Sequence, residues 1–440
     1  MIPISEAWDF VLAGCVPPAP VPCAIGEAPG HVLAETVLAS EDVPPFANSA
    51  MDGYAVQAAD TVEAPVRLRV VASVMAGDSP TTAVGHGEAV LIMTGAPMPP
   101  GADAVCIVER TRLETKASVV IEEAVGAETN VRHPGEDIVA GDAVFSAGTV
   151  VTPPHVGVLA SLGIETVLVQ PTLRVGVVST GDELATGSGA LAPGKIRNSN
   201  RPALLAQLQV DGCYPVDLGT VRDDTTALRH VLEHGAGSCD AVVVTGGVSV
   251  GDRDVVKIVL KKLGGNAARW MQVAVKPAKP FAFGTIGVVP TPVFALPGNP
   301  VPALVSYELF VRPGLRAMAG YRVLDRPCLP ATTEIDLARR PDGRVHLVRV
   351  LAHTGDGGTV RVDRRAVSAR TCCGRWPRRT PWRSCRTATG SLPAGGWTCC
   401  CSTPSACARR DRSGSGEPAG RSGADRHRST AVARAGASGD

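Results

Sequence analysis

The sequence predicts a multidomain α/β protein: a three-layer α/β domain with a parallel-rich sheet, a small inserted β domain, an α+β linker domain and a truncated C-terminal β domain. Three observations carry that reading. Between residues 171 and 320, short runs of apolar β-formers alternate with helical stretches, the rhythm of a parallel sheet covered on both faces. Between 65 and 125 the chain is Val-rich and punctuated by Gly, as in a small all-β unit. Its 440 residues are enough for roughly two to four domains, each with its own core.

In chain order, residues 1–14 read as a helix, with Ser5 as its cap and Ala7, Phe10 and Val11 on one face. Residues 31–45 form a short strand and an extended arm ending at Pro44-Pro45. Segments 1–45 and 141–170, the latter with a helix near 154–162, make up the linker domain. The inserted domain covers 46–140, with strands at 66–71, 89–93, 104–109 and 119–121. In the α/β domain, 171–320, strands are expected at 173–179, 214–219 and 241–245, then near 271–275, 281–288 and 293–296. Its helices fall at 202–210, 225–234, 255–263 and from 300 to about 318. Residues 321–363 open the partial C-terminal β domain.

The net charge of +1 hides two unlike regions. Residues 364–440 hold 15 Arg, no Lys and 4 acidic residues, whereas 1–363 hold 28 basic and 38 acidic ones. From Arg364 onward there is no Ile, Phe, Tyr, Met or Asn, Leu392 is the single Leu, and seven of the 13 Cys crowd together. No helical or strand period survives there. Adjacent pairs such as Cys372-Cys373 lack the spacing of zinc sites. A basic arm for nucleic acid would need salt-sensitive binding that is lost on deleting 364–440. The Arg/Cys/Gly/Ser/Trp mixture is what a shifted reading frame in a GC-rich gene yields, and a disordered tail is expected. No apolar run reaches the roughly 18–20 residues of a membrane span, and Glu6 and Asp9 stand where a secretory leader is basic. With six Cys spaced singly through 1–363, a cytoplasmic protein with buried thiols is expected.

Chemistry concentrates in 241–254. The apolar run Ala241 to Val244 ends in Thr245-Gly246-Gly247, and Gly251 precedes Asp252 and Asp254. Glycines at a strand's carboxyl end let backbone N–H groups turn toward an anion. Nearby carboxylates suit hydrated Mg²⁺, which takes one or two acids plus substrate phosphates. Neither a Walker loop nor a dinucleotide fingerprint is present. Two more acidic pairs follow strands of the same sheet, Asp182-Glu183 and Asp223-Asp224, at the edge where ligands gather. Asn48-Ser49-Ala50-Met51-Asp52-Gly53-Tyr54 reads as a tight Asp-Gly turn presenting a carboxylate. Any one of these acids could equally cap a helix or sit in a solvated turn.

Two basic features balance them. In Lys276-Pro277-Ala278-Lys279-Pro280 the prolines predict polyproline backbone, with Lys276 and Lys279 on one side as an anion clamp; a solvated loop is the alternative. Leu296-Pro297-Gly298-Asn299-Pro300 ends a strand and opens a helix, with Asn299 as N-cap and Pro300 at the first position. Its N–H groups make a second anion seat, unless the motif is purely structural. His155, His230 and His234 read as surface or packing residues without a nucleophile partner. The sum is a site for a phosphorylated or nucleotidyl substrate with Mg²⁺.

Together these motifs closely resemble the molybdopterin molybdenumtransferase family, bacterial MoeA and the E domain of gephyrin. The matching segments, in order over roughly 1–360, lie at 45–56, 92–97, 101–105, 135–137, 179–184, 245–251, 276–284 and 296–301. The resemblance implies a molybdopterin-binding α/β domain and an elongated homodimer. Its cleft would lie between the α/β domain of one subunit and the β domain around Asp52 of the other. It implies hydrolysis of adenylated molybdopterin with Mg²⁺ and insertion of molybdate, releasing AMP and molybdenum cofactor. Catalysis would fall on Asp52, Thr94, Asp137, Glu183, Asp223 and Asp254, with Mg²⁺ on Glu183, Asp223 and Asp254. Ligand binding would fall on Thr245, Gly246, Gly247, Ser249, Gly251, Lys276, Lys279, Pro297, Gly298, Asn299 and Pro300. The adenylyltransferase and apo-molybdoenzymes are implied partners; a membrane and nucleic acid are not.

Three departures from the family pattern stand out. Ala47 replaces the usual Asp, and Gln272 stands where a basic residue is frequent. The cleft-closing C-terminal β domain breaks off near residue 363, which predicts reduced or absent turnover. Two rivals remain. An adenylyltransferase is usually the α/β domain alone, and the roughly 170 residues ahead of it here argue against that. A non-catalytic dimeric scaffold would keep its ligand binding when Asp52, Glu183 and Asp254 become Ala.

Overall fold

The computed structural model describes residues 1–248, 254–333, 342–354, 359–364, 399–401 and 431–434. The chain divides into two compact units: Val21–Val169, and Met1–Pro20 together with Gln170–Asp440.

The larger unit is built on a six-stranded sheet. In chain order its elements are α1 (Ile4–Ala13), β1 (Arg174–Thr180), α2 (Asn200–Val210), β2 (Tyr214–Val221) and α3 (Thr225–Ser238). Then follow β3 (Ala241–Thr245), α4 (Val255–Gly264), β4 (Ala268–Gln272), β5 (Pro280–Ile286) and β6 (Thr291–Leu296). The strand order is β2-β1-β3-β6-β5-β4, and β5 alone runs against the others. Alternate residues feed two cores. Val175, Val177, Ala241, Val243, Phe294 and Leu296 pack with Leu204 and Leu208 of α2. Val178, Val242, Val244, Val293 and Ala295 pack with Leu228 and Leu232 of α3 and Val256 and Val259 of α4. Both faces are covered, which is why these strands read as unbroken apolar runs.

Helix α1, expected with the linker segments, buries Ala7 and Val11 in the first of these cores. Its N-cap residue is Pro3 rather than Ser5. The chain is held extended up to that point by Ile2, whose N–H donates to the Gln272 carbonyl (2.8 Å), so the helix starts before Ser5. The helix expected over 300–318 consists of α5 (Pro300–Ser306), a π turn (Tyr307–Val311) and α6 (Arg312–Met318). Pro313 has no N–H to offer the Leu309 carbonyl four residues back, and the indole N–H of Trp8 donates to that carbonyl instead. Partly buried Asp211, just after α2, accepts from the Tyr307 hydroxyl (2.8 Å), Arg312 Nε (3.2 Å) and Arg326 Nη2 (3.3 Å). Arg326 also reaches Glu308 (3.0 Å), so charge ties down the connector after α6.

Beyond it, strands Cys328–Thr333, Val345–Thr354 and Val360–Arg364 enclose a small core of Ala331, Val350 and Val362. Short strands Cys399–Cys401 and Ala431–Arg434 pair with the first two of them, although the sequence shows no strand period there. The rest of the tail expected to be disordered lies outside the described residues.

The smaller unit carries a second six-stranded sheet. Its order is Ala104–Ile107, Gly53–Val56, Glu88–Ile92, Val66–Val74, Ser118–Ile121 and Thr111–Thr115. Apolar clusters cover both faces, one around Tyr54 and Leu68, the other around Val90 and Ile92. A third cluster, with Leu33, Leu159 and Val169, sits under the helix Pro153–Ser161.

Candidate active site

A cleft of about 400 Å³ opens at the carboxyl ends of β1, β3 and β6. Topology puts it there. After β1 the chain crosses to β2 on one side and later returns to β3 on the other, and a parallel sheet leaves a crevice where its crossovers diverge. Ser179, Thr180 and Glu183 line it after β1, Thr245 to Val248 after β3, and Pro297 to Pro300 after β6. Leu184, Pro280 and the run from Ile196 through Arg197 to Asn200 at the head of α2 complete it. The cleft thus gathers Glu183, Thr245, Gly246, Gly247, Pro297, Gly298, Asn299 and Pro300 from the residues expected. Ser249 and Gly251 lie outside the described residues.

The loops fit by close contact. Gly246 has φ +100°, and a Cβ there would lie 2.1 Å from the Thr180 carbonyl oxygen, so only glycine lets the ends of β1 and β3 touch. Its N–H donates to the Leu296 carbonyl (3.2 Å), and the Thr245 hydroxyl donates to the Pro297 carbonyl (3.3 Å). Two residues absent from the sequence reading stitch these loops together. Asn200 donates from Nδ2 to Thr245 Oγ1 (2.8 Å) and to the Gly298 carbonyl (2.7 Å). Asn198 accepts from the Ser179 hydroxyl (3.3 Å) and donates to Thr220 Oγ1 (3.0 Å). The available signal was Asn198-Ser199-Asn200, three polar residues just where a helix starts. Asn299 does stand at the head of α5, but its side chain makes no capping bond.

The acids divide by role. Glu183 is on the cleft, and Thr180 Oγ1, also a lining residue, donates to Asp223 Oδ1 (2.9 Å). Asp224 caps α3 through Ala227 N–H (2.7 Å). Asp254 is 7% exposed and caps α4, its Oδ1 accepting from Lys257 N–H (3.1 Å). Among the described residues no three acids, histidines or thiols converge into a metal cage. Mg²⁺ needs only one or two carboxylates beside water and phosphate, a donor type that Glu183 supplies on the cleft.

The polyproline expectation for 276–280 fails. Ala278 sits at φ +77° and the Lys276–Pro277 peptide is cis. The segment is bent into a turn in which Val273 N–H donates to the Lys279 carbonyl (2.8 Å). Neither Lys276 nor Lys279 has an ion-pair partner among the described residues, and Pro280, next to Lys279, lines the cleft.

In the smaller unit, Asp52 Oδ1 accepts from both the N–H (2.7 Å) and the hydroxyl (2.8 Å) of Thr94. Those bonds, the backbone one first, hold the exposed carboxyl below its usual range. Gly53 is not there for a turn. It begins a strand, and a Cβ on it would lie 2.1 Å from the Cys106 carbonyl oxygen. Asp137 is exposed, with its N–H donating to the Val43 carbonyl (2.9 Å). His155 accepts from Thr152 N–H at Nδ1 (2.9 Å) and packs edge-on against Phe145, a structural duty.

Fold and cleft define a doubly wound α/β ligand-binding domain joined to a β-rich unit. Residues 2–163 match the family described as the MoeA N-terminal region (domain I and II), and residues 176–317 match a probable molybdopterin binding domain. Molybdopterin molybdenumtransferase 2 of Mycobacterium tuberculosis (strain ATCC 25618 / H37Rv) is 38% identical over 349 residues, covering 78% of this chain and 85% of that one. The molybdopterin molybdenumtransferase of Haemophilus influenzae is 34% identical over 337 residues, covering 77% and 82%. The crystal structure of the molybdopterin biosynthesis moeA protein from Pyrococcus horikoshii OT3 aligns with a TM-score of 0.71 at 28% identity, covering 84% and 91%. The chain belongs to the MoeA family of molybdopterin molybdenumtransferases.

Proposed function

We propose that this chain is a molybdopterin molybdenumtransferase of molybdenum cofactor biosynthesis, acting on adenylated molybdopterin and molybdate. The observation that carries the reading is the cleft at the crossover point, where neutral hydrogen-bonding side chains and glycine turns meet an acidic edge. Neutral amides and hydroxyls suit a heterocycle, while glycine turns and Lys276 and Lys279, without an ion-pair partner among the described residues, suit phosphate and oxyanion. In the hydrolysis, water adds to the adenylate phosphorus, the P–O bond to the bridging oxygen breaks, the molybdopterin phosphate leaves with that oxygen, and AMP is released carrying the water oxygen. Glu183 orients that water and takes its proton, and Asp223 is held in place by Thr180. Glu183 and Asp223, with Asp254 on the same edge, would hold Mg²⁺, which when bound neutralises phosphate charge. The proposal includes a cytoplasmic homodimer in which Asp52 of one subunit serves its partner's cleft.

The test is to incubate the chain with adenylated molybdopterin, Mg²⁺ and molybdate. AMP is released, and Glu183→Gln or Asp223→Asn slows release about 100-fold while the ligand still binds. Molybdopterin with ATP gives no pyrophosphate. Pyrophosphate release without AMP release from the adenylate would instead assign the adenylyltransferase. Unchanged ligand binding with no AMP release from any variant or the parent would assign a scaffold.

A further inference from the structure

Asn200 lines the cleft, yet its side chain is only half committed. It is 9% exposed, and its amide has two N–H donors and one acceptor oxygen. Both donors point inward, to Thr245 Oγ1 and the Gly298 carbonyl. A carbonyl can only accept, so the Gly298 bond fixes which way the amide faces. The Thr245 hydroxyl spends its own hydrogen on the Pro297 carbonyl and has none to return. Among the described residues nothing donates to Asn200 Oδ1, and Asn200 is part of the cleft wall. A residue nine-tenths buried at the wall of a ligand cleft thus offers an acceptor that no group among the described residues fills.

We infer that Asn200 Oδ1 receives an N–H of the exocyclic amino group of the substrate's heterocycle and so selects rings with a 2-aminopyrimidinone edge, as a pterin has. That edge carries an amino group beside a ring N–H, both donors. A ring with an oxygen at the same position would set acceptor against acceptor and leave both unpaired in a partly dry site. This inference rests on the cleft being the molybdopterin site. It adds a specificity residue which acts by direct contact and whose orientation is set by the loops it joins.

The experiment compares equilibrium binding of adenylated molybdopterin with that of its 2-deaminated counterpart, in which oxygen replaces the amino group. Wild type prefers the amino form by about tenfold, the worth of one hydrogen bond. Asn200→Ala binds the two alike. Thr245→Val, which loosens the same loops but leaves Oδ1 in place, binds both more weakly and keeps the preference. Asn200→Leu, close in volume and without an acceptor, also binds the two alike and serves if the Ala variant does not fold. A preference that survives in Asn200→Ala or Asn200→Leu, one that is lost in Thr245→Val, or wild type without any preference would overturn the inference. Wild type that binds neither form overturns the molybdopterin reading itself, and this shows before any variant is made.

Discussion

Replacing Gly246 with Ala tests how the cleft is built. The added Cβ would sit 2.1 Å from the Thr180 carbonyl oxygen, where real contacts do not fall below about 3 Å, so the end of β1 or β3 must move by roughly 1 Å. Two costs add. An L-residue at φ +100° loses about 1–2 kcal/mol, and forced repacking adds about 1–3 kcal/mol, for a total of roughly 2–5 kcal/mol. The moved strand end carries Thr180, which anchors Asp223, and leads into Glu183. A misplacement of about 1 Å near reacting groups costs about 100-fold in rate. Gly212→Ala is the control, since Gly212 has φ +80° with nothing within 4 Å of the added carbon and lies at the far end of α2. The assay is thermal unfolding together with AMP release. Gly246→Ala should lose several degrees and about 100-fold in rate, and Gly212→Ala should lose only stability. Equal behaviour of the two variants would refute the close-approach account.

Other outcomes follow from the same contacts. Asp211→Ala leaves Arg312, whose side chain is 8% exposed, without its charge partner; denaturant unfolding should show a loss of about 3–5 kcal/mol. Arg67→Ala, at a pair 68% exposed on the Arg side, should cost under about 1 kcal/mol. Trp8→Phe strands the Leu309 carbonyl and should cost about 1–2 kcal/mol in the same measurement. Asp52's carboxyl lies below its ordinary value of 3.8 in the folded chain. The Thr94 bonds therefore stabilise fully above that value, and their contribution is lost as pH falls through the folded value. In Thr94→Val the Asp52 titration followed by NMR should rise part of the way back, because the backbone N–H remains; an unmoved titration would sink that assignment.

Much of the α/β layer was legible because β1, β3 and β6 are buried on both faces, which writes unbroken apolar runs into the chain. Thr111–Thr115 was not, because four of its five residues are exposed and an edge strand with nothing to bury looks like a loop. The glycine loops were legible from their spacing. Asn200 was not, because its partners lie 45 and 98 residues away, and the Asn-Ser-Asn run marks a helix start without saying what its side chains reach. Local rules also misled. Two prolines suggested extended backbone at 276–280, where the Val273–Lys279 hydrogen bond imposes a turn. Asp52-Gly53 suggested turn chemistry, where Gly53 instead lets two strands approach.

The most direct test of the central claim is a single turnover with adenylated molybdopterin, Mg²⁺ and molybdate, counting AMP released and molybdenum transferred to the pterin. One AMP for each molybdenum transferred, with neither in the absence of molybdopterin adenylate, is the predicted result even at a reduced rate. AMP release with no molybdenum in the product, or no release from a chain that binds the ligand, would contradict it.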